Sequence, residues 1–219
     1  MRGCARPALN SILAVDVDGV LLDPDRGGLG PWGNALQERL GIDRGALREA
    51  FFAPYWDDIV VGRTPIEPVL AEALKSLGAS ASVDDVLACW FDADFVVNEP
   101  VVAAVRDLAS TGVTIVLATN QECRRLAFLR ERLRRLLPVA AVLGSAELGA
   151  VKADERFWRA ATARLGLAPG APPPVLLDDD ATNVEVALRC GWGAVHFTGE
   201  DGWMDDVRRA LAPRGRLPA

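Results

Sequence analysis

Apolar and polar residues divide this chain into two kinds of segment. Short, mainly apolar runs occur at about 12–16, 113–118, 139–143, 175–177 and 194–197. Runs of this length, bounded by turn residues, are the pattern of strands buried on both faces. Between them, apolar residues recur at helical spacing. One helix is expected over about 101–110, ended by Gly112, and an arginine- and leucine-rich one runs to Leu137, stopped by Pro138. Two more are expected at 155–165 and 184–190. Strands alternating with helices predict a parallel α/β sheet with helices on both faces.

The interval between the first and second strands breaks that alternation. From about Asn34 to Phe95 the periodicity is helical throughout. Leu36, Leu40, Leu47 and Phe51 share one face, and Val69, Leu70, Ala73, Leu74 and Leu77 share another. Ser82 and Asp85 have the spacing of a capping box ahead of 83–91. The segment 23–33 is turn chemistry throughout. Its Gly28, Gly30 and Gly33 spell GxGxxG, but they do not directly follow the strand and Pro31 lies among them. They are read as a flexible exit from the first strand rather than a dinucleotide fingerprint. Residues 1–10 read as a loose leader.

The candidate chemistry sits where the apolar runs stop. The first run ends on Asp16, followed by Asp18 and Gly19; the second leads into Thr119, Asn120 and Gln121; the fourth ends at Asp178, Asp179 and Asp180. Lys152 lies in the loop or helix start after the third. In a parallel sheet these carboxyl ends share one edge, where ligands of open α/β sheets bind. Carboxylates from two strands make a hard oxygen site suited to Mg²⁺. A lysine and a threonine hydroxyl beside them suit the remaining oxygens of a phosphoryl group.

Composition narrows the picture. Half of the 219 residues are hydrophobic, enough for a sizeable core. A net charge of −6 and a pI near 4.9 argue against a nucleic-acid partner. Arg124, Arg125, Arg130, Arg132, Arg134 and Arg135 read as a solvated helix face. Cys4, Cys89, Cys123 and Cys190 are scattered without a CxxC pair, so free thiols are expected. The chain starts without a secretory-type run, and Asp16 and Asp18 interrupt the first apolar stretch. No membrane association and a cytoplasmic location are therefore expected. His196, the single histidine, lies in a strand-like run and reads as structural.

Asp16-Val-Asp18-Gly19-Val20, Thr119, Lys152 and Asp178-Asp179, in this order, resemble the haloacid dehalogenase-like (HAD) hydrolase superfamily over about 12–197. The resemblance implies a Rossmann-like core, 1–23 with 99–219, and a helical C1-type cap at 24–98. It implies Asp16 as nucleophile and Asp18 as general acid and then base. It further implies Mg²⁺ held by Asp16, the Asp18 carbonyl and Asp179, with Asp178 acting through water or as an acceptor behind the ligands; Asp180, where relatives often carry Ser or Asn, leaves this register open by one residue, and Asp179 is chosen because the buried run ends at Leu177. Thr119, the Asn120 amide and Lys152 would bind the phosphoryl oxygens, and Asn183 would brace the acidic loop. Lys152 is followed by Ala153 where relatives usually carry Pro, which implies a looser loop. The tract 177–187 with Gly191 is similar to sugar-phosphate phosphatases such as the α-glucose-1-phosphate phosphatases. The expected function is hydrolysis of a small-molecule phosphate ester by a monomer or homodimer. Substrate selection would fall to the cap, with Trp32, Tyr55, Trp56, Asp57 and Arg63 as candidates. A phosphosugar mutase is the main alternative. A 2-haloacid dehalogenase, a receiver domain and a non-catalytic phosphometabolite-binding protein are others.

Overall fold

The computed structural model describes residues 11–22, 30–168 and 170–212. The expected leader, Cys4, and the glycine-rich exit up to residue 29, with Gly27 and Gly28, lie outside the described residues, as does Pro169. Five parallel strands, β1 (Ile12–Val15), β2 (Thr114–Thr119), β3 (Val139–Gly144), β4 (Val175–Asp178) and β5 (Gly193–His196), form one sheet in the order β3-β2-β1-β4-β5. The chain builds outward from β1 to β3, then crosses back to β4. This places the switch in direction between β1 and β4, beside Asp16 and Asp178.

Side chains alternate strictly across the sheet, as a period of two requires. Leu13, Val15, Ile115, Leu117, Val175 and Leu177 face a core completed by α6 (Glu99–Ser110), α7 (Cys123–Leu133) and α11 (Trp203–Leu211). Ala14, Val116, Ala118 and Leu176 face the opposite core, filled by Phe157 and Trp158 of α9 (Glu155–Leu165) and by Val186 and Ala187 of α10 (Ala181–Arg189). The expected doubly covered parallel sheet is therefore present. α11 lies beyond the expected set, as does the single turn α8 (Ser145–Leu148) after β3. α7 stops at Leu133, four residues short of the expected end.

Among the described residues, the interval from Gly30 to α6 is mainly helical, as its periodicity requires. It comprises α1 (Gly30–Leu40), α2 (Arg44–Leu47), a wide π-turn at Arg48–Phe52, α3 (Ala53–Ile59), α4 (Ile66–Ser76) and α5 (Val83–Ala93). α1 begins at Gly30, earlier than the turn residues suggested; Pro31 falls in its first turn, where a missing N–H costs nothing. The capping box forms: Asp85 N–H donates to Ser82 Oγ, and Ser82 N–H donates to the Asp85 carboxylate. This insert has its own core of Leu36, Leu47, Phe51, Ile59, Leu70, Leu74, Leu87, Trp90 and Phe91. Phe128 of α7 packs against both this core and the one beneath the sheet.

The chain enters and leaves the insert side by side. Leu22 bridges to Val97, and Asn98 N–H donates to Leu21 O at 2.9 Å. On the far side the insert rests on the sheet edge, where Ser145 Oγ donates to Val60 O at 2.6 Å. Gly62, at φ +73°, lies there so close to Ala146 that a Cβ would collide with its backbone carbonyl. Gly78 has a similar φ of +65° but open space around it. Gly78→Ala should cost only the left-handed strain, about 1 kcal/mol. Gly62→Ala should add overpacking to that strain and lose about 2–4 kcal/mol. Urea unfolding measures both, and equal losses would refute the tight seat at Gly62.

Candidate active site

Asp16 follows the last residue of β1, and its amide still bonds across the sheet to Leu177 O at 2.9 Å. Its carboxylate points back over the strand end, accepting from Val17 N–H at 2.7 Å. Asp178 ends β4 one strand away, and Lys152 arrives from the β3–α9 connection. The lysine Nζ lies 2.7 Å from Asp16 Oδ1 and 2.7 Å from Asp178 Oδ2. All three are buried, with Lys152 at 2% and Asp178 at 0% exposure. Asp178 Oδ1 accepts from Asp180 N–H and from Asn183 Nδ2, each at 3.0 Å. Asn183 thus braces the acidic loop, as expected.

Lys152 does not need a proline to be held. Its N–H donates to Asn120 Oδ1 at 2.9 Å, and its carbonyl accepts from Trp158 Nε1 at 2.7 Å. Trp158 is itself buried edge-on against Phe157 and Trp192. The looser loop implied by Ala153 is therefore corrected: two hydrogen bonds to buried or half-buried partners fix the backbone on either side of Lys152. Thr119 closes β2 beside this group and is buried.

Asp16, Asp178 and Asp179 bring carboxylate oxygens within 4.8 Å of one another. Gly19, at φ +85°, makes this approach possible, since a Cβ there would collide with the Asp179 carboxylate. His196 Nε2 lies 2.9 Å from the Asp179 carbonyl oxygen, so the histidine steadies the same loop. With all three ionised, as a bound cation requires, these acids beside one ammonium would leave two negative charges uncompensated in a mostly buried place. Such a donor set fits a divalent oxygen-seeking cation. Burial pushes the Asp16 carboxyl up to about 8, with Lys152 opposing and Asp178 adding to the rise. Burial lowers the Lys152 pKa, but the two carboxylates outweigh it and the net shift is upward.

Asp18 lies at the bend beyond Asp16. Arg125 Nη2 donates to its Oδ1 at 2.9 Å, and Gln121 Nε2 donates to its Oδ2 at 2.5 Å. Gln121 Nε2 is also 3.4 Å from Thr119 Oγ1. The arginines were expected to form a solvated face, and Arg125 overturns this for its own position with an exposure of 2%. The signal was present in the periodicity. Arg125 shares the buried stripe of α7 with Leu126, Leu129 and Leu133, at i+1, i+4 and i+8. The sequence marks Gln121 only as a polar strand-end residue and Arg125 only as part of a solvated face; their contact with Asp18 is what the structure adds.

The proposed selectivity residues are dispersed. Trp32 and Trp56 pack with Phe52 and Trp90 in the insert. Tyr55 is exposed, and Arg63 pairs with Asp58 at the surface. Cys89, Cys123 and Cys190 are free thiols. No described helix is long and apolar enough to cross a membrane.

No protein-family model and no curated protein matches the chain. Solved structures do. HAD family enzyme BT-2542 from Bacteroides thetaiotaomicron, as a magnesium complex, is 16% identical with a TM-score of 0.70, covering 91% of this chain and 98% of its own. A HAD phosphatase from Thermococcus onnurineus is 20% identical, TM-score 0.58, with 92% and 98% covered. An L-2-haloacid dehalogenase from Xanthobacter autotrophicus is 15% identical, TM-score 0.59, with 93% and 85% covered. The chain has the fold of the HAD-family enzymes.

The raised Asp16 carboxyl has a measurable consequence. Its stabilising contribution to the metal-free protein is fully present below the unfolded value of 3.8 and is lost as pH rises towards about 8. A cation needs the ionised form, so binding expels the proton. Mg²⁺ affinity should tighten up to about tenfold per pH unit through pH 6–8 and level off above. Calorimetric titration in buffers of different ionisation enthalpy reads both affinity and proton release. An affinity independent of pH would contradict the assignment.

Proposed function

We propose that the chain is a Mg²⁺-dependent phosphatase for a small phosphorylated metabolite, acting through an aspartyl-phosphate on Asp16. The observation that carries this reading is a buried carboxylate, Asp16, ion-paired to Lys152, with a separate hydrogen-bonded acid, Asp18, two residues on. Asp16 attacks phosphorus, and the bond to the ester oxygen breaks as the bond to the carboxylate forms. Asp18 gives its proton to the leaving oxygen. It then takes a proton from the water that attacks the phosphoenzyme, releasing phosphate and restoring Asp16. Thr119, the Asn120 amide and Lys152 hold the transferring oxygens. Asp16, the Asp18 carbonyl and Asp179, with Asp178 behind them, would hold Mg²⁺, which neutralises charge between nucleophile and substrate when bound. BT-2542 was crystallised with magnesium and inorganic phosphate, which supports the same ligands here.

The shared fold leaves room for a dehalogenase, but a halide leaves without a proton, and Asp18 would then be idle. An alkoxide leaving group needs that proton. The likeness of 177–187 to sugar-phosphate phosphatases favours a sugar phosphate, with the insert, 24–98, as a cap over the strand ends.

Asp16→Asn should abolish turnover and phosphoenzyme formation. Asp18→Asn should slow alkyl phosphates by about 10²-fold or more while sparing the fold. Turnover of an alkyl phosphate by Asp18→Asn at the wild-type rate would reject the acid–base role, and full activity in excess EDTA would reject the metal. Phosphorus NMR of sugar phosphates with protein and Mg²⁺ should show inorganic phosphate accumulating as substrate disappears. Isomerised ester with little free phosphate would replace this reading by a mutase.

A further inference from the structure

Arg125 is a buried cation held between two acids that come from different parts of the chain. Nη2 meets Asp18 at 2.9 Å, and Nη1 meets Asp94 Oδ2 at 3.1 Å. Asp94 caps the end of α5 in the insert and is itself buried, at 7% exposure. The same Asp94 oxygen accepts from Trp90 Nε1 at 2.8 Å. The guanidinium carbon lies 5.8 Å from the Trp90 ring centroid and 5.7 Å from that of Phe91. At its root, the Arg125 amide donates to Glu122 Oε1 at 2.5 Å, fixing the first turn of α7. A side chain anchored at its backbone, set against two rings and paired through both terminal nitrogens has little freedom left. The acid on its far end, by contrast, lies in a bend with a side chain 42% exposed.

We propose that Arg125 is a positioning residue: it sets the orientation of the Asp18 carboxylate, and Asp94 of the insert holds it in place to do so. This deepens the phosphatase reading and rests on it. Gln121 takes the second oxygen of Asp18, so the carboxylate is fixed from two sides, by groups of the β2–α7 segment. The direction in which Asp18 presents its proton is then tied to the seating of α5 on α7. A purely structural arginine would neutralise Asp94 and stop there; the contact that extends to Asp18 gives it a consequence for the reaction.

The test compares an alkyl phosphate, whose leaving oxygen needs a proton, with 4-nitrophenyl phosphate, whose leaving oxygen does not. kcat/KM reports the steps up to transfer onto Asp16. Arg125→Gln should lower kcat/KM for the alkyl ester by about 10–100-fold and leave the nitrophenyl ester within about threefold, since only acid assistance is lost. In an Asp18→Asn background the same substitution should cost little further, because the group it orients is already gone. Arg125→Lys should recover part of the alkyl activity by retaining one of the two pairings. Asp94→Asn, close to isosteric, guards against an Arg125→Gln protein that fails to fold and should show the same ester selectivity at a smaller scale. Equal losses on both esters, or losses that multiply with Asp18→Asn, would overturn positioning while leaving the phosphatase intact. A wild-type protein that turns over neither ester would overturn both.

Discussion

The rest of the site depends on the ion triad of Lys152 with Asp16 and Asp178. A fully buried ammonium persists only where carboxylates compensate its lost hydration. Here two do, from adjacent strands, each at 2.7 Å. The strand order puts β1 beside β4, so their carboxyl ends are neighbours. The crossover from β3 brings the lysine over the same edge. Trp158 and Asn120 then hold the lysine backbone from both sides, which lets a flexible side chain act as a fixed charge. Removing Lys152 would leave two buried acids facing each other with no counter-charge, so the triad is a structural element as well as the seat of the chemistry.

With its acids ionised, the cluster of Lys152, Asp16, Asp178 and Asp179 carries more negative than positive charge, and this imbalance makes a divalent cation a natural complement. Gly19 has its place for the same reason. Its positive φ turns the chain away from β1, and its missing Cβ lets the Asp179 carboxylate approach. A single residue thus allows both the bend that carries Asp18 and the gathering of acids.

The insert is joined to this edge by contacts of unequal weight. Arg124 pairs with Glu67 and Asp84, and Arg132 with Asp92, each part-exposed. Such pairs contribute at most about 1 kcal/mol each. The buried links are different: Ser145 to Val60, Arg125 to Asp94, and Phe128 packed into both cores. They place helices with a core of their own against the strand ends, and one of them reaches Asp18 directly.

Much of this was legible in the residues. A buried parallel strand must be apolar on both faces, so all five strands announced themselves, and the acids that end β1 and β4 stood out because charge is costly in such runs. The helical insert was plain from its period. Boundaries were less so: α1 starts early because proline is tolerated in a first turn, and α11 was overlooked. What the tertiary structure alone decided was pairing. Asp178 ends β4 and points inward to Lys152 with both oxygens engaged, while its neighbour Asp179 lies exposed against Gly19; the tract reads the same for either register. Arg125 looks like its neighbouring arginines in composition, and only its place on the buried stripe of α7, facing Asp18 and Asp94 from distant segments, makes it different. Local pattern determines which residues can be buried, because periodicity is a property of each element by itself. Which charge meets which is decided by strand order and helix packing, because those contacts join residues more than a hundred positions apart in the chain.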